Sequence, residues 1–429
     1  MRLRFLSFTI LLCGLLSVAQ AQPTYSREVS RIIQEKCQIC HRPNDIAPFT
    51  LMNFQDAQTW AEDIKRVVEE KIMPPWKPVA GHGEFRDSYA LSDEERQAIV
   101  SWVNAGSPEG DAADLPEPRV QTGEWQLGPP NQILEMKETY TPPRGRDVYR
   151  CFVVSNPFDD AAYVSAVDVL PGSRQIVHHV ILYIDEKNQA QALDEKEEGP
   201  GYTCFGGPGF DISISSMLGG WAPGTLPRHL PDGIAVQIPK GARLVMQVHY
   251  YPVGRTAEDQ TRVGLYFSQS SARKRLVYFP VLNQRFEIPA GNANYEVKAN
   301  FVIPPLFDSN IVQIFPHMHV LGRQIKVEYQ IPRSETKPLV YIDNWDFNWQ
   351  GFYTYKQIDT VPAFTDIRLS CVFDNSTNNP RNPSNPVKPV RWGEGTEDEM
   401  CLAFIGVTLE RENLIDLIRF EPGRNNNLR

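Results

Sequence analysis

A chain of 429 residues is too long for one ordinary core, so two or three domains are expected. Its 41% apolar and 22% charged residues are ordinary for a soluble globular protein. The net charge of −9 becomes about −11 once a leader carrying Arg2 and Arg4 is removed, and that argues against nucleic acid or an anionic lipid surface as partner.

The first residues read as an export signal, 1–21: a basic start at Arg2 and Arg4, an apolar run over 5–18, and Ala19-Gln20-Ala21 as a small-residue cleavage pattern. The run is short for a membrane span, and no later stretch approaches about 18 unbroken apolar residues. Cys13, inside the run, lacks the small residues a lipoprotein site wants before it. A soluble periplasmic or secreted protein with no membrane span is therefore expected.

Three helical patterns fill residues 26–105. Val29, Ile32, Ile33 and Cys37 share one face of the first, and Trp60, Ile64, Val67 and Val68 one face of the second. The third opens with Ser92 and Glu95 as a capping box, carries Ile99, Trp102 and Val103, and stops at Gly106. Within this region Cys37-Gln38-Ile39-Cys40-His41 is C-x-x-C-H, the sequence that attaches haem through two thioethers and ligates iron through the histidine. A thioredoxin-type pair would want a strand before it, and a zinc site a second ligand pair nearby; neither is present. Met73, in a stiff loop before Pro74 and Pro75, is the candidate second axial ligand, with Met52 and His82 as rivals. Residues 22–106 are thus expected to be a small all-α, class I cytochrome c-like domain with one covalent c-type haem.

Residues 107–122 turn to Ser, Pro, Gly, Asp and Glu and read as a linker. Beyond it, short alternating or apolar runs recur between turns at 149–154, 176–184, 244–251, 297–303, 311–319 and 401–409, the signature of all-β sandwiches or barrels. Their extent suggests two, with a seam at 280–289 and boundaries at 123–280 and 281–423. Four widely spaced cysteines, Cys151, Cys204, Cys371 and Cys401, suggest disulfides with three possible pairings.

Five of the eight histidines fall in three β-type segments: His178-His179, His249, and His317 with His319. Two apart on a strand, His317 and His319 project from one face, as two ligands of one metal would. His178 and His179 would point to opposite faces of a regular strand, and can serve one metal only where the strand ends or bulges. Three such clusters in one exported β region favour a metal over structural histidines, copper first and zinc as rival. His82 and His229 belong to no cluster and read as ordinary loop or surface residues.

His178-His179, Gln247-Val248-His249-Tyr250, His317-x-His319-Val320-Leu321-Gly322 and Asp398-Glu399-Met400-Cys401 stand in an order and spacing that resembles the type II copper, ascorbate-dependent monooxygenases, the group of peptidylglycine α-hydroxylating and dopamine β-monooxygenases. The resemblance runs from about residue 124 to 417. It implies two jelly-roll domains facing a cleft, an electron-transfer copper held by His178, His179 and His249, and an O2- and substrate-binding copper held by His317, His319 and Met400. It also implies disulfides Cys151–Cys204 and Cys371–Cys401. By spacing alone Met400 would read as a core methionine.

Where the peptide-amidating enzymes place an arginine that grips the substrate carboxylate, this chain has Phe315, and a tyrosine and an asparagine of theirs are Phe404 and Leu402. A carboxylate there would lose hydrogen bonds worth on the order of 1–3 kcal/mol each, so a small, more apolar organic substrate is expected. The expected function is hydroxylation of a C–H bond with O2, using two copper ions and ascorbate or another one-electron donor. The tethered haem would raise the local donor concentration, and a redox protein is a possible partner. The rival from another class is a non-catalytic copper or haem electron-transfer protein, and a third is a carbohydrate- or partner-binding jelly roll with structural histidines.

Overall fold

The computed structural model describes residues 22–43, 45–86, 88–118, 123–154, 157–251, 256–269 and 274–417. The expected leader, the last four linker residues and the end of the second sandwich lie outside the described residues. The protein is mostly β, with few helices and several sheets. It divides into a helical unit (Met1–Pro74 with Ala90–Arg119) and a β unit (Pro75–Tyr89 with Val120–Arg429).

In the helical unit, Tyr25–Val29, Ser30–Ile32 and Ile33–Cys37 form one continuous helical run, opened by the Thr24 side chain accepting from the Arg27 N–H. Phe54–Thr59 is capped by Asn53, and Ala61–Glu69 follows after a break at Trp60. The expected capping box at Ser92 and Glu95 forms and starts Asp93–Asn104. Val29, Ile33, Ile64, Val68, Ile99 and Trp102 meet in one small core. Residues 107–118 are not a free linker. Pro108 and Glu109 accept from the Tyr25 and Ser26 N–H groups, and Gly110 (φ +89°) passes so close to Thr24 that a Cβ would stand 2.6 Å from its Oγ1.

The β unit opens with β1 (Gln132–Glu135), β2 (Val148–Val154), β3 (Ala162–Leu170), β4 (Val177–Asp185), β5 (Tyr202–Thr203), β6 (Met217–Trp221), β7 (Ile234–Ile238), β8 (Arg243–Tyr250), β9 (Arg262–Phe267) and β10 (Lys274–Arg275). They form two sheets, β1-β9-β3-β7-β10 and β5-β2-β8-β4-β6. Val164, Val263 and Leu265 from the first share one core with Phe152, Val180, Leu182 and Met246 from the second. Alternation along β4 and β8 sends every second side chain into this core and its neighbours to the opposite face. One irregularity matters: between Val177 and His179, β4 carries one residue more than β8, so that His178 bulges from the ladder.

The second sandwich contains β11 (Val277–Asn283), β12 (Glu287–Ile288), β13 (Tyr295–Val302), β14 (Ser309–His317), β15 (Gly322–Gln330), β16 (Thr336–Ile342), β17 (Tyr353–Val361), β18 (Asp366–Phe373), β19 (Val390–Arg391) and β20 (Cys401–Leu409). Its sheets run β11-β20-β14-β17 and β13-β18-β15-β16, with a small β12-β19 pair beside them. Val281, Ile314 and Ile405 from one sheet and Val297, Ile325 and Leu369 from the other form its core. The change from one sandwich to the next falls between Arg275 and Val277 rather than within 280–289. Pro280 does not end β11, because β11 is an edge strand and needs no donor on its open side.

Residues 75–89 also belong to this unit rather than to the helices around them. Phe85 enters the second core, and Gly83 (φ +94°) lies where a Cβ would be 2.2 Å from the Leu339 carbonyl oxygen.

Candidate metal centres and the cavity between the sandwiches

The bulge in β4 answers the difficulty of two adjacent histidines. His178 and His179 turn to the same side, and with His249 of β8 their ligand atoms all lie within 4.8 Å of one another. The Nδ1 atoms of His178 and His179 are 3.2 Å apart. His249 Nε2–H donates to Asp147 Oδ1 at 3.1 Å, which leaves its Nδ1 lone pair, buried and unpartnered among the described residues, aimed inward. The Tyr149 ring stacks on His249 at 4.1 Å and 8°. Burial drives the pKa of His178 and His179 well below the usual value, with neighbouring imidazoles adding to it. Burial lowers His249 too, against the pull of Asp147. Although burial raises Asp147, its hydrogen bonds from His249 and Thr396 outweigh that and hold it low. The result is three neutral imidazoles beside one outer carboxylate, the arrangement that metal ligation requires.

His317 ends β14, and His319 follows in the turn before β15 rather than on the strand itself. Met318 between them is buried in the second core, so alternation persists through the strand end. The two rings are 5.1 Å apart and nearly perpendicular. Each has its outer nitrogen engaged: His317 Nδ1–H donates to Gln350 Oε1 at 2.6 Å, and His319 Nδ1–H donates to the Asp398 carbonyl at 3.0 Å. Both Nε2 atoms are left for a ligand. Burial lowers His317 to about 4 and His319 to about 3.

Met400 precedes β20, the strand that pairs with β14 so that His317 stands opposite Leu402. Its approach to the histidines is fixed by Glu399, whose carboxylate accepts from the His319 N–H at 2.9 Å, the Leu321 N–H at 2.6 Å and the Met400 N–H at 3.2 Å. Burial pushes that carboxyl up to about 8, opposed by those backbone donors.

His179, His317, His319 and Met400 line one cavity of 340 Å³ between the two sandwiches. Its other walls are largely aromatic and aliphatic, including Phe315, Phe352, Leu402 and Phe404, and among the described residues no lysine or arginine lines it. Glu394 is an acid in the wall, raised to about 7 by burial and by Asp398.

In the helical unit, Cys37, Cys40 and His41 sit on the turn that ends the first helical run, with the His41 N–H donating to the Cys37 carbonyl. His41 Nδ1–H donates to the Phe49 carbonyl at 3.1 Å, which fixes the tautomer and frees Nε2 for an iron ligand bond. Burial lowers its pKa. Met73 lies half-buried in the turn after Ala61–Glu69, its N–H bonded to the Val67 carbonyl. Of its rivals, Met52 is 42% exposed, and His82 sits in the β unit 5.2 Å from the Tyr341 ring. His229 is exposed and bonded to Ser165 Oγ.

Cys151 and Cys204 form a disulfide, Cα–Cα 5.7 Å, tying β2 to the start of the loop after β5. Cys371 and Cys401 do not: they are buried neighbours that remain thiols, which corrects the second expected bridge. Both face the dry core of the second sandwich, where burial raises the Cys371 thiol and Cys401 finds the Val297 carbonyl as a partner. Sequence reasoning missed Asp147, Tyr149, Gln350 and Phe347. Gln350 and Phe347 stand in an irregular loop with no periodic pattern, and only a contact map reveals them.

Residues 283–408 match the family described as copper type II ascorbate-dependent monooxygenase, C-terminal domain, a span that includes His317, His319 and Met400 but not the first histidine set. The chain is similar to DBH-like monooxygenase protein 1 of Homo sapiens, 22% identical over 290 residues, covering 61% of this chain and 44% of that protein. It is likewise similar to that of Gallus gallus, 23% identical over 54% of this chain and 39% of that protein. The chain therefore spans less than half the length of these curated relatives. Among solved structures, the major capsid protein P2 from bacteriophage PM2 overlays 66% of this chain and 98% of its own at 10% identity, with a TM-score of only 0.28. No described helix is long and apolar enough to cross a membrane. Taken together, the family match and these relatives make this chain similar to type II copper monooxygenases, most directly over residues 283–408.

Proposed function

We propose that this protein is an exported, periplasmic or secreted copper monooxygenase that hydroxylates a C–H bond of a small apolar substrate with O2. The observation that carries the reading is the pairing of two neutral histidine sets beside an apolar cavity between two sandwiches, with Met400 in the same cavity wall as His317 and His319. His178, His179 and His249 would hold one copper through Nδ1-side lone pairs, and His317, His319 and Met400 the other. Copper bound there would supply one-electron chemistry and O2 activation. The chain's own residues do the rest. Asp147, Gln350 and the Asp398 carbonyl fix the imidazole tautomers, and Phe315 and Phe404 exclude water.

In both sandwiches, the eight long strands are ordered first-eighth-third-sixth and second-seventh-fourth-fifth. That order supports a jelly-roll reading for each. Residues 22–74 with 90–106 are the proposed haem domain, with Cys37, Cys40 and His41 to hold a c-type haem and Met73 as its second ligand. Such a haem supplies one-electron transfer from ascorbate or a protein donor.

The test is metal analysis joined to oxygen uptake. With ascorbate as electron donor, copper-loaded protein should bind two coppers per chain and consume O2 only with an apolar organic substrate, forming its alcohol and water, and Met400→Ala should abolish uptake. Absence of stoichiometric copper, or uptake indifferent to every substrate, would overturn the proposal in favour of a carrier or binding role.

A further inference from the structure

The loop between β16 and β17 touches both histidine sets. Gln350 orients His317, Trp345 Nε1–H donates to the His319 carbonyl at 3.1 Å, and Gln350 Nε2–H donates to the Phe347 carbonyl, folding the loop back on itself. At its centre the Phe347 ring, 6% exposed, stacks on His178 at 4.3 Å and 19°. The same ring meets His319 edge-on at 5.7 Å and 77°. One buried ring thus fills the space between a member of each set. Neither Phe347 nor His178 lines the 340 Å³ cavity, so a substrate in the cavity would leave this contact intact.

We propose that Phe347 is the contact through which the two histidine sets exchange an electron. The inference rests on the two-copper reading above. Hydroxylation of R–H by O2 breaks one C–H bond and the O–O bond, forms one C–O bond, and takes up two electrons and two protons to yield R–OH and water. One of those electrons must cross from the His178 side to the His319 side, replenished by an enediol reductant or a one-electron protein donor. Phe347 is not itself oxidised. It is a positioning residue that keeps the gap dry and filled with close-packed atoms, where a smaller side chain leaves a void and loses those contacts.

The experiment uses the full chain loaded with Cu(II), reduced anaerobically by ascorbate, and sampled by freeze-quench electron paramagnetic resonance. In the wild type both coppers should be reduced in a single phase, because electrons equilibrate between the sets faster than they enter. Phe347→Leu and Phe347→Met should bind two coppers with unchanged line shapes but show two phases, the slower one retarded by up to about 100-fold, the cost that a misplacement of reacting partners by about 1 Å can reach. Phe347→Tyr, which keeps the ring, should restore the single phase. A single phase in both aliphatic variants, or two phases persisting in Phe347→Tyr, overturns the role of Phe347 and leaves the two-copper reading standing. Fewer than two coppers in the wild type overturns both.

Discussion

Replacing Gln350 with leucine isolates what an outer hydrogen bond contributes to the His317 set. Gln350 is 3% exposed, and its Oε1 accepts from His317 Nδ1 at 2.6 Å while its Nε2 donates to the Phe347 carbonyl at 2.9 Å. Gln350→Leu conserves most of the volume but strands the Nδ1–H of a buried imidazole, a loss of about 1–3 kcal/mol. The ring also gains freedom to rotate, so Nε2 no longer points at the position shared with His319 and Met400. Loss of such a partner typically weakens metal binding about 10–100-fold, equivalent to about 1.4–2.7 kcal/mol, the same size as the hydrogen-bond cost. Two measurements read it: thermal unfolding of the metal-free protein, and Cu(I) titration against a competing chelator. The His178, His179 and His249 set serves as internal control, since Asp147 rather than Gln350 supports it. One copper should bind as in the wild type and the other 10–100-fold more weakly. Unchanged affinity for both coppers together with a lowered unfolding temperature would refute the reasoning, reducing Gln350 to a packing residue.

Three further outcomes follow from the same geometry. His317 has a folded pKa of about 4 against 6.5 unfolded, so its contribution is present above pH 6.5 and lost as pH falls towards 4, about 3 kcal/mol in all; a metal-free His317→Gln variant should show a correspondingly flatter stability-versus-pH curve over that window, and an identical curve would exclude the assignment. Met400→Leu keeps the bulk and removes the sulfur, so copper at the His317 set should bind more weakly while the metal-free unfolding temperature stays within a few degrees of the wild type; an unaltered copper spectrum at that set would show that the thioether is no ligand. Cys204→Ala opens a closed loop with sequence separation 53, worth about 4 kcal/mol by chain entropy, and chemical denaturation should register the loss in the β unit; an unchanged midpoint would mean that the bridge does not form in solution.

Local chemistry was readable wherever the motif was contiguous. The Ser92–Glu95 capping box and the alternating strands each rest on residues a few positions apart, whose spacing maps directly onto a helical turn or a pleat. The histidine pairs were visible as chemistry but not as geometry. Sequence could state that His178 and His179 conflict on a regular strand, and only the register against β8 showed the bulge that removes the conflict.

The sequence alone determined which side chains are available: five clustered histidines, an apolar Phe315 where a cation could have stood, and cysteines enough for two bridges. Tertiary structure decided which of them meet. It left Cys371 and Cys401 as neighbouring thiols, packed Phe85 of the 75–89 segment into the second core, and set Phe347 between two histidine sets. The physical reason is that ligand sets, buried thiols and ring stacks are contacts between strands and loops tens to hundreds of residues apart. Their positions follow from strand order and sandwich packing, which periodicity within one segment does not encode.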